Sequence, residues 1–221
     1  MNLREAVTGF LHDSPFIQEA LDDGLINITS LARYMQPHVN DNMGKEISQS
    51  AIVMAIRRME PSPYYKINKG IQKYLGGLGD VIVRTGLNSL TYENSKTLIS
   101  CEKELLERAQ DMKDAFCSFS SGISETTLLI SDGLMPHIRE IFQHEKRTAM
   151  TESLCSITIR LPEDNTEVSG IYYFILKQIA WKGININEVI STTNEFTVVV
   201  KSKDLDQAFI VVHGLKNIQH G

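Results

Sequence analysis

The sequence is short of the features that most often declare a function. Its 221 residues contain three cysteines, Cys101, Cys117 and Cys155, an odd number at wide spacing. That count suggests neither a disulfide framework nor a zinc site, and it fits a reducing compartment. No apolar run approaches the roughly 20 residues that cross a bilayer. The opening "MNLREAVTGFLHDSPF" carries Arg4 and Glu5 and lacks the continuous apolar stretch of a signal peptide. A cytoplasmic chain with no membrane partner is the expectation. Catalytic signatures are missing as well: there is no Gly-x-Ser-x-Gly and no Cys/His arrangement. "LGGLGD" (Leu75 to Asp80) has no following Lys-Ser/Thr and no preceding strand, so it reads as a turn, not a phosphate cradle. His137 and His144, with Glu140 between them, lack zincin spacing. No catalytic residue, metal ligand or cofactor is predicted, and the chain is expected not to be an enzyme.

Basic excess is also lacking. The net charge is −5, and Lys/Arg against Asp/Glu number eight and eight over residues 1–75, eight and twelve over 76–153, and six and seven over 154–221. Nucleic acid is therefore the less favoured partner.

What the sequence does have is periodicity. Residues 1–62 read as helix: Leu3, Val7, Phe10 and Leu11 share a face, and Ser14-Pro15 opens "PFIQEALDDG". A short helix is expected from Thr29 or Ser30 to just before Pro37, and a longer one from Ser48 to Met59. This layout is that of a helix-turn-helix or winged-helix module. Residues 60–80 change texture, with prolines, glycines and lysines, and 63–79 read as a linker with one helical turn around Ile71 to Leu75.

Residues 80–150 then read strand, helix, strand, strand, helix, with Leu98, Cys101, Leu105, Ala109 and Met112 on one stripe. Residues 151–221 repeat that order. Ile157, Ile159 and Leu161 alternate in a strand, and Ile171, Phe174, Ile175 and Ile179 line a helix. "INEVIST" and "EFTVVVK" flank a Thr-Thr-Asn turn, and Leu205, Ala208, Phe209, Val212 and Leu215 line a last helix capped by Asp204. The predicted fold class is α+β: a helical N-terminal domain followed by two ferredoxin-like βαββα(β) units. The second unit has only "NIQHG" left for a fourth strand, so its sheet edge is open or filled from elsewhere in the chain or from a second subunit.

The segment "SITIRLPEDNTEVSGIYYFILKQIAWKGININEVISTTNEFTVVVKSKDLDQAFIVVHGLK" resembles an ACT domain, the small-molecule-binding regulatory module, of the type found at the C-terminus of aspartate kinases. Gly170-Ile171 opening a helix, "KGININEVIST" with its valine-rich strand, and "DLDQA" leading to His-Gly-Leu carry the resemblance. Residues 80–150 match only in order of elements, as a degenerate ACT-like unit. No kinase domain is visible, since helices stand where a large nucleotide-binding domain would be. The resemblance implies a ligand, an amino acid, at ACT interfaces, and a homo-oligomer, a dimer being the expected form.

Chemistry supports the same region. A polar loop entering a helix offers backbone N–H groups and a favourable dipole to a carboxylate. Asn165, Val168, Ser169, Gly170 and Ile171 form that end. Asn187 and Glu188 lie on the next strand, where the resemblance places a carboxylate facing the ligand's amine. Tyr172, Tyr173 and Trp181 read as helix surface packed on another helix. The alternative functions are a ligand-responsive DNA-binding regulator, with Arg33, Lys45, Gln49, Arg57 and Arg58 outward, and a structural dimer with no ligand. Against the first stands "AIVMAI" (Ala51 to Ile56), which reads as buried on nearly every side, unlike a groove-reading helix.

Overall fold

Asn2 starts the first helix by a reciprocal arrangement: its side chain accepts from the Glu5 N–H, and the Glu5 carboxylate accepts from the Asn2 N–H. The computed structural model describes residues 1–60, 71, 74–162 and 168–217, which divide into two compact units, Met1–Lys73 and Tyr74–Gly221. The linker expected at 63–79 lies outside the described residues at 63–70, 72 and 73. Ile71, Tyr74 and Leu75 are helical.

The first unit holds α1 (Leu3–His12), α2 (Pro15–Asp22), α3 (Ile28–Met43) and α4 (Gln49–Arg57). Its core joins Ala6, Val7 and Leu11 of α1 to Leu31, Ala32, Met35 and Val39 of α3 and to Ile52 and Ile56 of α4. The expected stop before Pro37 is corrected here: α3 starts at the Asn27 cap and runs through Pro37 for 16 residues. Proline removes one intrahelical bond. Both Pro37 and Arg33, whose carbonyl loses that partner, are exposed, so water can satisfy the carbonyl while Met35 and Val39 hold the buried face. Helix α4 also departs from expectation, since only Ile52 and Ile56 are buried and Met54 is exposed. Among the described residues 1–60 there is no strand, and so no wing.

The second unit runs β1 (Val81–Glu93), α5 (Leu98–Gln110), β2 (Cys117–Ser121), β3 (Glu125–Ser131), α6 (Met135–Ile141), β4 (Arg147–Arg160), α7 (Ile171–Ala180), β5 (Ile186–Ser191), β6 (Glu195–Lys201) and α8 (Leu205–Gly214). All pairings are antiparallel, and the strands form one sheet in the order β2-β3-β1-β4-β6-β5. The repeat is detailed. Gly122 N donates to the Glu125 carbonyl in one hairpin and Thr192 N to the Glu195 carbonyl in the other. Thr91–Thr127 and Thr158–Thr197 hydroxyl pairs, at 3.0 and 2.8 Å, cross equivalent strands.

The missing fourth strand is found within the chain. Strands β1 and β4 are long enough to serve both repeats. The segment Leu87–Glu93 of β1 pairs with β3, and the segment Leu154–Arg160 of β4 pairs with β6. Each strand then closes the other repeat as its fourth, along a β1–β4 ladder from Val81↔Ile159 to Tyr92↔Arg147. Leu87 faces Leu154 at the centre of that ladder, and the residue before each has positive φ, 67° at Gly86 and 58° at Ser153. The boundary expected at 150–151 falls inside β4.

One sheet face carries Leu90, Tyr92, Leu128 and Ile130 against Leu98 and Leu105 of α5 and Ile138 of α6. On the other face Leu87, Leu129, Leu154 and Val199 are fully buried beside Phe116 and Ile190, and among the described residues no helix residue joins that cluster. The sheet therefore curls upon itself, and the Ser89 hydroxyl of β1 donates to the Glu188 carboxylate of β5. In a flat sheet these strands would stand roughly 14 Å apart. In α8 the core residues are Ala208, Val212 and the following Leu215. Phe209, expected inside, is partly exposed, and Asp204 makes no side-chain capping bond.

Candidate functional site

Helix α7 begins at a glycine for a backbone reason. Gly170 sits at φ 86°, ψ 0°, a left-handed conformation in which a side chain would be strained. The first intrahelical bond is Phe174 N–H to the Gly170 carbonyl. The N–H groups of Ile171, Tyr172 and Tyr173 thus precede the helical ladder, and glycine has no side chain to cap them. Ile171 is buried, Val168 half-buried and Ser169 exposed. Asn165 lies outside the described residues. Tyr172 leans towards the sheet and not onto a second helix: its ring stacks on Phe196 at 4.7 Å and its hydroxyl lies 2.7 Å from Ser191 Oγ. Tyr173 lies beneath the Lys177 ammonium, and Trp181 is 74% exposed. These placements replace the helix-on-helix packing expected for the three.

The equivalent helix start in the first repeat is already filled. The carboxylate of Glu145, from the α6–β4 connection, accepts from Ser95 Oγ and Thr97 Oγ1, both at 2.6 Å, ahead of α5. Ser95 Oγ in turn accepts from the N–H groups of Thr97 and Leu98. These hydroxyls hold the Glu145 carboxyl below its ordinary pKa, Ser95 contributing most. The repeat that carries α6 from Met135 onto α8 from Leu205 carries Glu145 onto Leu215, which is fully buried and apolar. The start of α7 has no carboxylate at that position.

Strand β5 has an irregularity between Ile186 and Glu188, which leaves Asn187 as the extra residue. The Asn187 amide oxygen is buried without a hydrogen-bond partner among the described residues, as is that of Asn194 in the β5–β6 turn. Glu188 pairs across from Val199, whereas Phe196, beneath Tyr172, belongs to the opposite face. The structure thus puts Glu188 on the curled, helix-free face, away from Ser169–Ile171. Burial raises the Glu188 pKa and the Ser89 hydrogen bond opposes that rise. Next to the β5–β6 turn, Asp80, Arg160, Thr158 and Asn194 line a cleft of about 560 Å³. Gly79 permits this approach, because a Cβ there would lie 2.8 Å from Arg160 Cβ.

No family model matches the sequence, and no curated protein matches it. Solved structures do. The chain is similar to an aspartate kinase of Clostridium acetobutylicum, with a TM-score of 0.50 and 15% identity over 62% of this chain and 34% of that one. It is similar to the regulatory subunit of aspartate kinase from Thermus thermophilus, in ligand-free form, with a TM-score of 0.50 and 8% identity over 62% of this chain and 97% of that one. The shared part has the fold of that regulatory subunit. This chain spans about a third of the length of the Clostridium kinase. At these identities the likeness is one of fold.

Sequence reasoning located the helix start at Gly170 and missed the Glu145 plug in the first repeat. Its signal was faint: Ser95-x-Thr97 before one helix, and a glutamate after the next. In the helical unit Arg33, Lys45, Arg57 and Arg58 are exposed, while the Gln49 amide donates to the Thr29 carbonyl at 2.9 Å. No helix among the described residues is long and apolar enough to cross a membrane.

Proposed function

We propose that this chain is a cytoplasmic, non-enzymatic regulatory protein that binds an amino acid at the start of α7 and self-associates through its α/β unit. The observation that carries the reading is the contrast between the repeats. One helix start holds a carboxylate of the protein's own, Glu145, and the equivalent position of the other is Leu215. The same geometry in the second repeat suits the carboxylate of a ligand. In this reading Ser169, Gly170 and Ile171 supply the backbone N–H groups, Asn165 and Val168 add contacts from the preceding segment, and the Asn187 amide oxygen, buried with no partner among the described residues, suits an ammonium donor. Glu188, held by Ser89, adds negative potential from the far face. The matched structures bear descriptions as an allosteric enzyme and a regulatory subunit, which favours a regulatory role. Trp181 and Ile210, 74% and 70% exposed on the helical side, support self-association.

Thermal unfolding in the presence of each of the twenty amino acids tests the reading. A ligand at 100 times its dissociation constant stabilises by about 2.7 kcal/mol, a readily visible shift. One responding amino acid, lost on Gly170→Trp in a protein that still folds, is the expected result. A flat screen on folded protein would leave a structural dimer as the better account.

A further inference from the structure

A second cavity, in the first repeat and separate from the start of α7, has a different chemistry. It lies between α6 and the first residues of β4, with a volume of about 540 Å³. Its apolar side is formed by Met135, Ile138, Phe142 and Met150. Two arginines reach it, Arg139 from α6 and Arg147 from the start of β4. Neither guanidinium is ion-paired among the described residues, and the contact recorded for Arg147 is the Met150 sulfur at 3.2 Å. Tyr92 is 97% buried, with its ring 5.0 Å from that of Phe142. Its ring is buried, while its hydroxyl makes no hydrogen bond among the described residues and keeps access to the cavity, free to donate there. Glu145 also borders the cavity, its carboxylate already engaged by Ser95 and Thr97.

Two cations and one anion leave a single positive charge. A doubly charged phosphate would face Glu145 and gain nothing from the apolar wall, whereas a monoanion with an apolar body would use every surface. We propose that this cavity binds a small organic carboxylate with an apolar body. Its carboxylate lies between Arg139 and Arg147 and accepts from the Tyr92 hydroxyl, and its body packs on Ile138, Phe142 and Met150. Planar guanidinium groups and a hydroxyl donor match the two oxygens of such a group. This inference stands whether or not α7 binds an amino acid.

Calorimetric titration of the full chain with phenylacetate, 3-phenylpropionate and 4-methylvalerate tests it, with phenylacetamide and inorganic phosphate as controls. At least one carboxylate should bind at one site per chain, and phenylacetamide about tenfold or more weaker, because it lacks the charge. The Arg139→Gln, Arg147→Gln double variant changes only exposed side chains and should abolish binding. Tyr92→Phe keeps the ring contact with Phe142 and should weaken binding several-fold. Silence from all three carboxylates with folded protein would overturn the proposal, as would unchanged affinity in the arginine variant. Phosphate binding as tightly as the carboxylates would overturn the part of it that assigns an apolar body.

Discussion

Removing the Glu145 carboxylate should destabilise the α/β unit by about 2 kcal/mol. In general a hydrogen bond to a charged group contributes roughly 1.5–3 kcal/mol, and an anion at a helix N-terminus about 0.3–1. Glu145 makes two such bonds, to Ser95 and Thr97, beside α5. It is only half-buried, so solvent screening pulls the net effect below the simple sum of these terms, to about 2 kcal/mol. Urea unfolding of Glu145→Ala and Glu145→Gln at neutral pH measures the loss, with the amide expected to retain part of it. The pH dependence gives a second reading with a fixed sign. The folded-state pKa lies below the ordinary 4.5, so the contribution is complete above that value and disappears as pH falls through the folded pKa. The stability gap between wild type and Glu145→Gln should therefore hold from neutral pH downwards and close below 4.5. Equal stability at neutral pH, or a gap that ignores pH, would refute the assignment of Glu145 as a stabilising plug.

Other outcomes follow from backbone and packing. Ser153→Gly should raise stability by about 0.5–1 kcal/mol in urea, since glycine takes the φ of 58° at lower strain and Gly86 occupies the equivalent place. Leu154→Ala should cost roughly 3 kcal/mol and broaden no second transition in a calorimetric scan, because both repeats share that strand. Cys117, whose pKa burial pushes up to about 12, should resist iodoacetamide at pH 8 in native protein and react on unfolding.

Much of the fold was legible because local rules and tertiary packing agreed. The helix stripe through Leu98 and Leu105, the two hairpins and the apolar face of α7 all read correctly from spacing. Where they disagreed, the reading failed for identifiable reasons. Pro37 signals a stop, yet its solvent-facing position lets α3 continue. The first half of β4, "RTAMTES", has neither alternation nor apolar weight, and becomes a strand through its ladder with β1. The helix start at Gly170 was legible, since glycine there meets a backbone need. The Glu188–Ser89 bond joins residues of β1 and β5 that only the curl of the sheet brings near. No local pattern encodes that.

The sharing of β1 and β4 has a mechanical consequence. Two repeats joined by a flexible tether can each respond to a ligand alone. Here each long strand is a single beam running beneath both halves, with its fulcrum at Leu87 and Leu154. A change of twist imposed on Leu154–Arg160 would pass into Arg147–Ser153, beside the Glu145 plug, through the irregular step at Ser153 and Leu154, because one strand carries both segments. The pair would register an event at one end as a displacement at the other, as a balance does.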